Sequence, residues 1–377
     1  MTNERTLTIA LNTLPRLRAA IAGAAFERFG SAAGVLAASA AELTALRGVG
    51  PVLAAAVRSL DAPRVGEEEE RRARDRGIAI LTLDDQEYPE RLRLIPDPPR
   101  VLYRLGELLP QDGAGIAVVG ARAATAYGRT VAERLGRELA GAGLTVVSGL
   151  ARGIDACAHR GALAEGGRTV AVLGTGLDRV YPPEHARLAA EVAARGALLS
   201  EFPLGSEPEP WHFPLRNRAI SGLSRGVVVV EAAVRSGALG TADMALEQGR
   251  EVFAVPGPIT SPTSAGTNRL IRQGAGLIEG ARDVLEAFPD LAALLTAAPG
   301  EPVALAGLSE EERRLLAAMG AAALPIDEII RVSPGSAAAT AALLTALELK
   351  GLVRQQPGKI FARLTGDSTQ RGTPGHV

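Results

Sequence analysis

A chain of 377 residues has room for one large domain with one or two small ones. A hydrophobic share of 47% against 22% charged predicts a globular protein with a substantial core. A formal net charge of -1 excludes a uniformly basic coat, so any phosphate binding must come from a local patch, and a 3% aromatic share leaves few rings for stacking. The one cysteine, Cys157, excludes an internal disulfide or a cysteine-built zinc site and reads as a small buried helix residue. Met1 to Leu7 is polar and predicts no signal peptide, and no apolar run is long enough to span a membrane. The expected setting is cytoplasmic, with no membrane partner.

Residues 1–75 read as a helical domain rich in alanine and leucine. Within it, Leu46-Arg47-Gly48-Val49-Gly50-Pro51 resembles a helix-hairpin-helix turn, whose consecutive backbone N–H groups can hold a phosphate; a plain helix–helix turn fits equally well. Glu67 to Arg76 reads as a solvated helix face or hinge.

Residues 76–290, after an extended lead-in, alternate short apolar runs with helical stretches. The runs are Ile116–Val119, Leu144–Val147, Thr169–Leu173, Leu198-Leu199, Val227–Val230 and Val252–Val255. Apolar runs without strict alternation suit strands covered on both faces, and helical crossovers between them make a parallel sheet. The predicted fold class is α/β: a Rossmann-like, doubly wound, mostly parallel sheet, with the N-terminal helical domain and a C-terminal winged-helix domain. The latter follows a linker at 291–308 and spans 309–365. Its expected parts are helices over Ser309–Met319, Ile326–Val332 and Ser336–Leu349, then a hairpin around Pro357-Gly358. Its second and third helices carry few cations, Arg331 and Lys350, which argues against major-groove reading. Residues 366–377 read as a disordered tail.

In open parallel sheets, ligands bind beyond the carboxyl ends of the strands, where helix N-termini present free N–H groups. Here those ends read Gly120-Ala121-Arg122, then Ser148-Gly149-Leu150-Ala151-Arg152-Gly153-Ile154-Asp155, then Gly174-Thr175-Gly176-Leu177-Asp178. Glycines let a phosphate approach the backbone, and Arg122 and Arg152 can add bidentate bonds. The dinucleotide fingerprint needs glycine two residues after Gly120, where Arg122 stands, so a nicotinamide enzyme is not expected. Trp211-His212-Phe213-Pro214-Leu215-Arg216-Asn217-Arg218 gathers rings, arginines and an amide suited to unpaired bases and phosphates. The other reading makes Trp211 and Phe213 core anchors, favoured for the rings, and bonds Arg216 and Arg218 to carboxylates such as Glu201 or Glu231. No catalytic triad, metal-ligand spacing or cofactor motif is found, so no catalytic residue, metal or cofactor is expected.

These runs, with Tyr181-Pro182, Ser200-Glu201, Ser221-Gly222-Leu223, Glu231-Ala232, Arg235-Ser236-Gly237 and Thr241-Ala242, and with Tyr88-Pro89 and Pro98-Pro99 upstream, closely resemble the DNA-processing protein A family from about Tyr88 to Phe288. The resemblance implies a bacterial single-stranded-DNA-binding protein of natural transformation. Such a protein protects the incoming strand, loads the RecA recombinase onto it and forms a homodimer through its Rossmann-like domain. Arg122 is then the first candidate for DNA contact, with Ser148, Gly149, Arg152 and Gly153 in the same pocket. Gly120, Gly174, Arg216, Asn217, Arg218, Ser236 and Gly237 complete the candidate set. Where the family often has a basic or amide-rich stretch after Tyr181-Pro182, this chain has Pro183-Glu184-His185, and Arg179 is the candidate to compensate. For the dimer contact, Gly266 to Ile271 and the following helix are the expected segment.

The rival reading is an enzyme, a Rossmann-type phosphoribohydrolase acting on nucleoside monophosphates, which Ser236-Gly237-Ala238-Leu239-Gly240-Thr241 resembles. Met244 stands where such an enzyme has its catalytic glutamate, removing the group that would stabilise an oxocarbenium-like transition state. The binding protein is therefore the expected function.

Overall fold

A computed structural model of the chain describes residues 3–17, 19–291, 309–319, 324–333, 335–349, 352–356 and 360–363. The sequence-predicted linker (from 292 on), the Pro357-Gly358 turn and the tail at 366–377 lie outside these residues. Two compact units divide at Thr296 and Ala297.

The first unit is built on a sheet of nine strands among the described residues. They are β1 (Ala79–Thr82), β2 (Val101–Gly106), β3 (Ile116–Val119), β4 (Val146–Ser148), β5 (Thr169–Val172), β6 (Ala197–Ser200), β7 (Gly226–Val229), β8 (Glu251–Ala254) and β9 (Gly276–Leu277). Their order is β1-β2-β6-β5-β4-β3-β7-β8-β9, parallel from β6 to β9. Successive side chains go to opposite faces, and both faces are covered. Ala117, Val119, Val227 and Val229 enter one apolar layer, while Ile116, Val118, Val228 and Phe253 enter the other. That two-sided burial is why the strands read as unbroken apolar runs.

The extended lead-in resolves into β1 and β2, an antiparallel pair joined antiparallel to β6, so the sheet is mixed at that edge. Before it, six helices from Glu4–Asn12 to Ala62–Arg74 bury their own core around Leu11, Val35, Leu43 and Val57. Ser39 opens the helix Ala40–Thr44 with a capping box to Glu42, and the next, Pro51–Ser59, starts at Gly50 with proline at its N-terminus. The solvated-face reading of Glu67 to Arg76 needs one correction. Glu69 is 2% exposed, and its carboxylate accepts from Tyr103 Oη at 3.0 Å and from the Leu204 amide at 2.8 Å. One residue in this run is therefore a buried tie between helix and sheet.

The second unit has helices Glu310–Met319, Ile326–Val332 and Ala337–Leu349. Strands β10 (Leu324–Pro325), β11 (Val353–Gln356) and β12 (Ile360–Arg363) form an antiparallel sheet in the order β10-β12-β11. Leu315, Leu316, Met319, Ile329, Leu344, Leu347, Val353 and Phe361 make its core, the arrangement of a winged helix. Among the described residues no helix is long and apolar enough to cross a membrane.

Candidate nucleic-acid interface

Strands β4, β5 and β6 succeed one another on one side of β3, whereas β7 and β8 lie on its other side. The connections leaving β3 and β7 therefore diverge, which opens a crevice beyond the carboxyl ends of the two strands. A cleft of about 960 Å³ lies there, lined by Gly120 to Ala123 after β3, by Ala233 and Arg235 to Ala238 after β7, and by Tyr181, Phe213 and Asn217.

The loop after β3 is held from beneath. Glu231, 2% exposed, accepts the Thr125 amide at 2.9 Å and the Thr125 hydroxyl at 2.6 Å on its two carboxylate oxygens. Its own carbonyl accepts the Ala121 amide at 2.7 Å. The Thr125 hydroxyl in turn caps the helix Ala126–Gly141 by accepting from Gly128 N at 3.1 Å. Arg122 is thus the exposed tip of a loop fixed on both sides, its guanidinium carbon 4.8 Å from the Phe213 ring centroid. Tyr181 stands next to Phe213, with centroids 5.8 Å apart.

The loop after β4 is held by buried charge. Asp155 accepts the Gly149 and Ala151 amides at 3.2 and 3.4 Å. Arg216, 4% exposed, donates through Nη1 to the carbonyls of Gly149 at 2.6 Å and Val172 at 2.5 Å. Burial pulls its guanidinium down to about 10, against the Asp155 carboxylate, which acts to raise it. At neutral pH the group stays charged and adds positive potential under the cleft floor.

Several sequence-predicted contacts take other roles. Arg218 is 3% exposed and pairs with Glu201 and with Asp97, so it cannot face a strand. Arg216 likewise braces β4 and β5 with carbonyl bonds through Nη1, while it also lines the cleft. The Ser148 hydroxyl is buried and donates to the Val118 carbonyl at 2.6 Å. A Cβ on Gly149 would fall 2.1 Å from Arg216 Nη1, and one on Gly174 would lie 3.0 Å from Phe213, so these glycines make room for side chains, not phosphates. Gly120 lines the cleft yet abuts Ile154 closely. Arg152 pairs with Glu184 at 2.5 Å and Arg179 with Glu207 at 2.9 Å. Gly153 supports the Arg122 loop, Asn217 lines the cleft and bonds the Gly237 carbonyl at 3.3 Å, Ser236 caps the helix Gly237–Glu247, and Gly237 is open to the cleft.

Two residues were misjudged from sequence. Phe213 is half-buried at the cleft and is no core anchor, while Trp211, 36% exposed, stands at the start of the helix His212–Leu223. Arg235, which the sequence offers only as part of the Arg235-Ser236-Gly237 run, lines the cleft. In the helix Ala265–Arg272, which holds the Gly266 to Ile271 segment expected for the dimer, Gly266, Thr267 and Leu270 are buried while Arg269 and Arg272 are exposed. Among the described residues no group of three or more His, Cys, Asp or Glu is placed to hold a metal.

The fold and cleft define a Rossmann-type protein whose switch-point crevice carries an arginine where a dinucleotide binder has glycine. Residues 79–289 match the family model of the DNA recombination-mediator protein A, and residues 299–359 match the DprA winged helix domain. The chain belongs to the DNA recombination-mediator protein A family. It is 45% identical over 218 residues to the DNA processing protein DprA of Bacillus subtilis, covering 58% of this chain and 73% of that one. Against Protein Smf of Escherichia coli it is 42% identical over 287 residues, covering 74% and 76%. The crystal structure of DNA processing protein A from Streptococcus pneumoniae superposes with a TM-score of 0.65 at 34% identity, covering 76% of this chain and 98% of that one. A solved structure of DNA processing protein A from Helicobacter pylori, reported for its single-stranded DNA binding mode, gives 0.51 at 29% identity over 58% of this chain and 96% of that one.

Proposed function

We propose that this chain binds single-stranded DNA in the switch-point cleft, independently of sequence, without catalysing a reaction. The observation that carries the reading is Arg122: an exposed guanidinium with no carboxylate within ion-pair distance among the described residues, stacked on an aromatic ring beside open backbone. A cation grips phosphate, and rings stack on unpaired bases of any identity. The helix N-termini after β3, β4 and β7 add favourable potential for an anion. Met244 lines the cleft where a phosphoribohydrolase would place its acid, which supports binding over hydrolysis.

Within the family role, the bound strand would be incoming DNA in natural transformation, shielded from nucleases and passed to the RecA recombinase by a homodimer joined through its Rossmann-like domain, in the cytoplasm. The test is titration of labelled oligothymidine over a salt series. The wild type should bind with an affinity that falls steeply with salt, and Arg122→Ala should weaken it by at least about tenfold. Unchanged binding by that variant removes the reading. Nuclease protection and RecA filament assembly on coated strands then test the later steps.

A further inference from the structure

The basic side chains around the cleft differ in what already holds them. Arg216 is buried against carbonyls and Arg218 against Glu201 and Asp97, while Arg152 and Arg179 are exposed but paired with Glu184 and Glu207. Arg235 is different. It is exposed, it lines the cleft, and it has no ion pair, hydrogen bond or ring partner among the described residues.

Its backbone, by contrast, is pinned on both sides. Ala232 donates to the Thr263 carbonyl and accepts from Gly266 N, each at 2.8 Å, and Ser236 N closes a turn on the Ala233 carbonyl at 2.9 Å. The Ser236 hydroxyl accepts from Ala238 N at 3.3 Å, starting the next helix. A fixed loop thus presents a free guanidinium into a crevice whose other flank, one strand away, presents Arg122. In a chain with 41 basic and 42 acidic residues, Arg122 and Arg235, the two exposed arginines lining the cleft, make with the buried Arg216 a local positive patch inside a near-neutral protein.

We propose that Arg235 is a second phosphate contact, gripping the DNA backbone from the β7 side as Arg122 does from the β3 side. The proposal rests on the cleft being the single-strand site. A guanidinium stays charged at every physiological pH and can bond a phosphate through two N–H groups, so it serves backbone contact without reading bases. Two cations on facing flanks hold a strand along the crevice, whereas one would only tether it.

The experiment is oligothymidine titration over a salt series with the full-length wild type, Arg122→Ala, Arg235→Ala and Arg235→Lys. Arg235→Ala should bind about tenfold more weakly, with a logarithmic salt slope shallower by about 0.7, one single-strand phosphate. The loss should be equal on oligocytidine. Arg235→Lys should restore the slope, because it keeps the charge. The thermal unfolding curve of Arg235→Ala should match that of the wild type, as the side chain supports nothing. If Arg122→Ala weakens binding while Arg235→Ala keeps wild-type affinity and slope, the Arg235 contact is wrong and the cleft stands. If neither variant differs from wild type, or the wild type does not bind, the cleft reading fails and the Arg235 contact with it.

Discussion

The Arg122 guanidinium carbon sits 4.8 Å from the centroid of the Phe213 ring, joining the loop after β3 to the helix His212–Leu223. The ring restrains the cation without neutralising it, unlike a carboxylate, so the charge remains available to phosphate. Gly174 leaves the ring its space, since a Cβ there would lie 3.0 Å from Phe213.

Phe213→Ala should therefore weaken single-strand binding although it removes no charge. The expected loss is about five- to tenfold, combining a lost stacking surface with a less restrained Arg122. The salt slope should stay near wild type because the number of phosphates neutralised is unchanged. A variant with wild-type affinity would show that the ring takes no part.

The sheet was legible in the sequence because burial on both faces makes each central strand an apolar run, Ile116–Val119 being the clearest. Strands β1 and β2 were not, since Ala79–Thr82 is short and its pairing with Val101–Gly106 depends on a register set across many residues. In the cleft, Arg122 was legible because it displaces a glycine that a dinucleotide would need. Arg216 and Arg218 were not separable from it, as one arginine looks like another until the third element opposite it is known. Glu201, a partner expected from the sequence, takes Arg218 together with Asp97, whereas the Val172 carbonyl, 44 residues away, takes Arg216. The sequence assigns Arg235 no role of its own within its run for the converse reason: what distinguishes it is the lack of a polar or ring partner among the described residues.

Gly153 carries a φ of +76°, and a Cβ there would lie 2.2 Å from the Ala121 carbonyl oxygen and 2.6 Å from that of Arg122. Gly153→Ala should be destabilising, because φ +76° with ψ -123° is a backbone region that residues with a Cβ rarely enter, with the clash adding to it. Because the clash is with the Arg122 loop, single-strand affinity should fall too. Gly143 is the control, at φ +81° with open space around it. Gly143→Ala should lower the melting temperature modestly and leave binding unchanged. Equal binding by the two variants would show that Gly153 does not seat the loop.

His159 is fully buried, with Nδ1 2.6 Å from the Thr169 hydroxyl and Nε2 without a hydrogen-bond partner among the described residues. Burial, helped by the charges of His185, Arg216 and Arg160, lowers its pKa from 6.5 to about 3. Between those values the unfolded chain takes up a proton that the folded chain refuses. Its stabilising contribution is complete above about pH 6.5 and is lost as the pH falls towards 3, by up to about 1.4 kcal/mol per pH unit. Urea unfolding at several pH values in that window should show His159→Gln with a pH slope lower by about one proton. Parallel slopes for the variant and the wild type would mean that His159 titrates normally.

Arg152 and Glu184 decide how far the basic surface extends beyond the cleft. Their side chains are 54% and 50% exposed and meet at 2.5 Å, and the bond holds the Glu184 carboxyl below its ordinary range. A strand reaching Arg152 would have to displace that carboxylate, so the gain from phosphate is offset by the pair it breaks. Arg152→Ala is accordingly expected to change single-strand affinity by less than about twofold, far less than Arg122→Ala. Glu184→Gln should have the opposite effect. With its carboxylate gone, Arg152 is free to take a phosphate, which should tighten binding a few-fold at low salt and steepen the slope by about 0.7. Loss of binding in Arg152→Ala comparable to Arg122→Ala would show instead that the ion pair opens when DNA arrives, with Arg152 among the primary contacts.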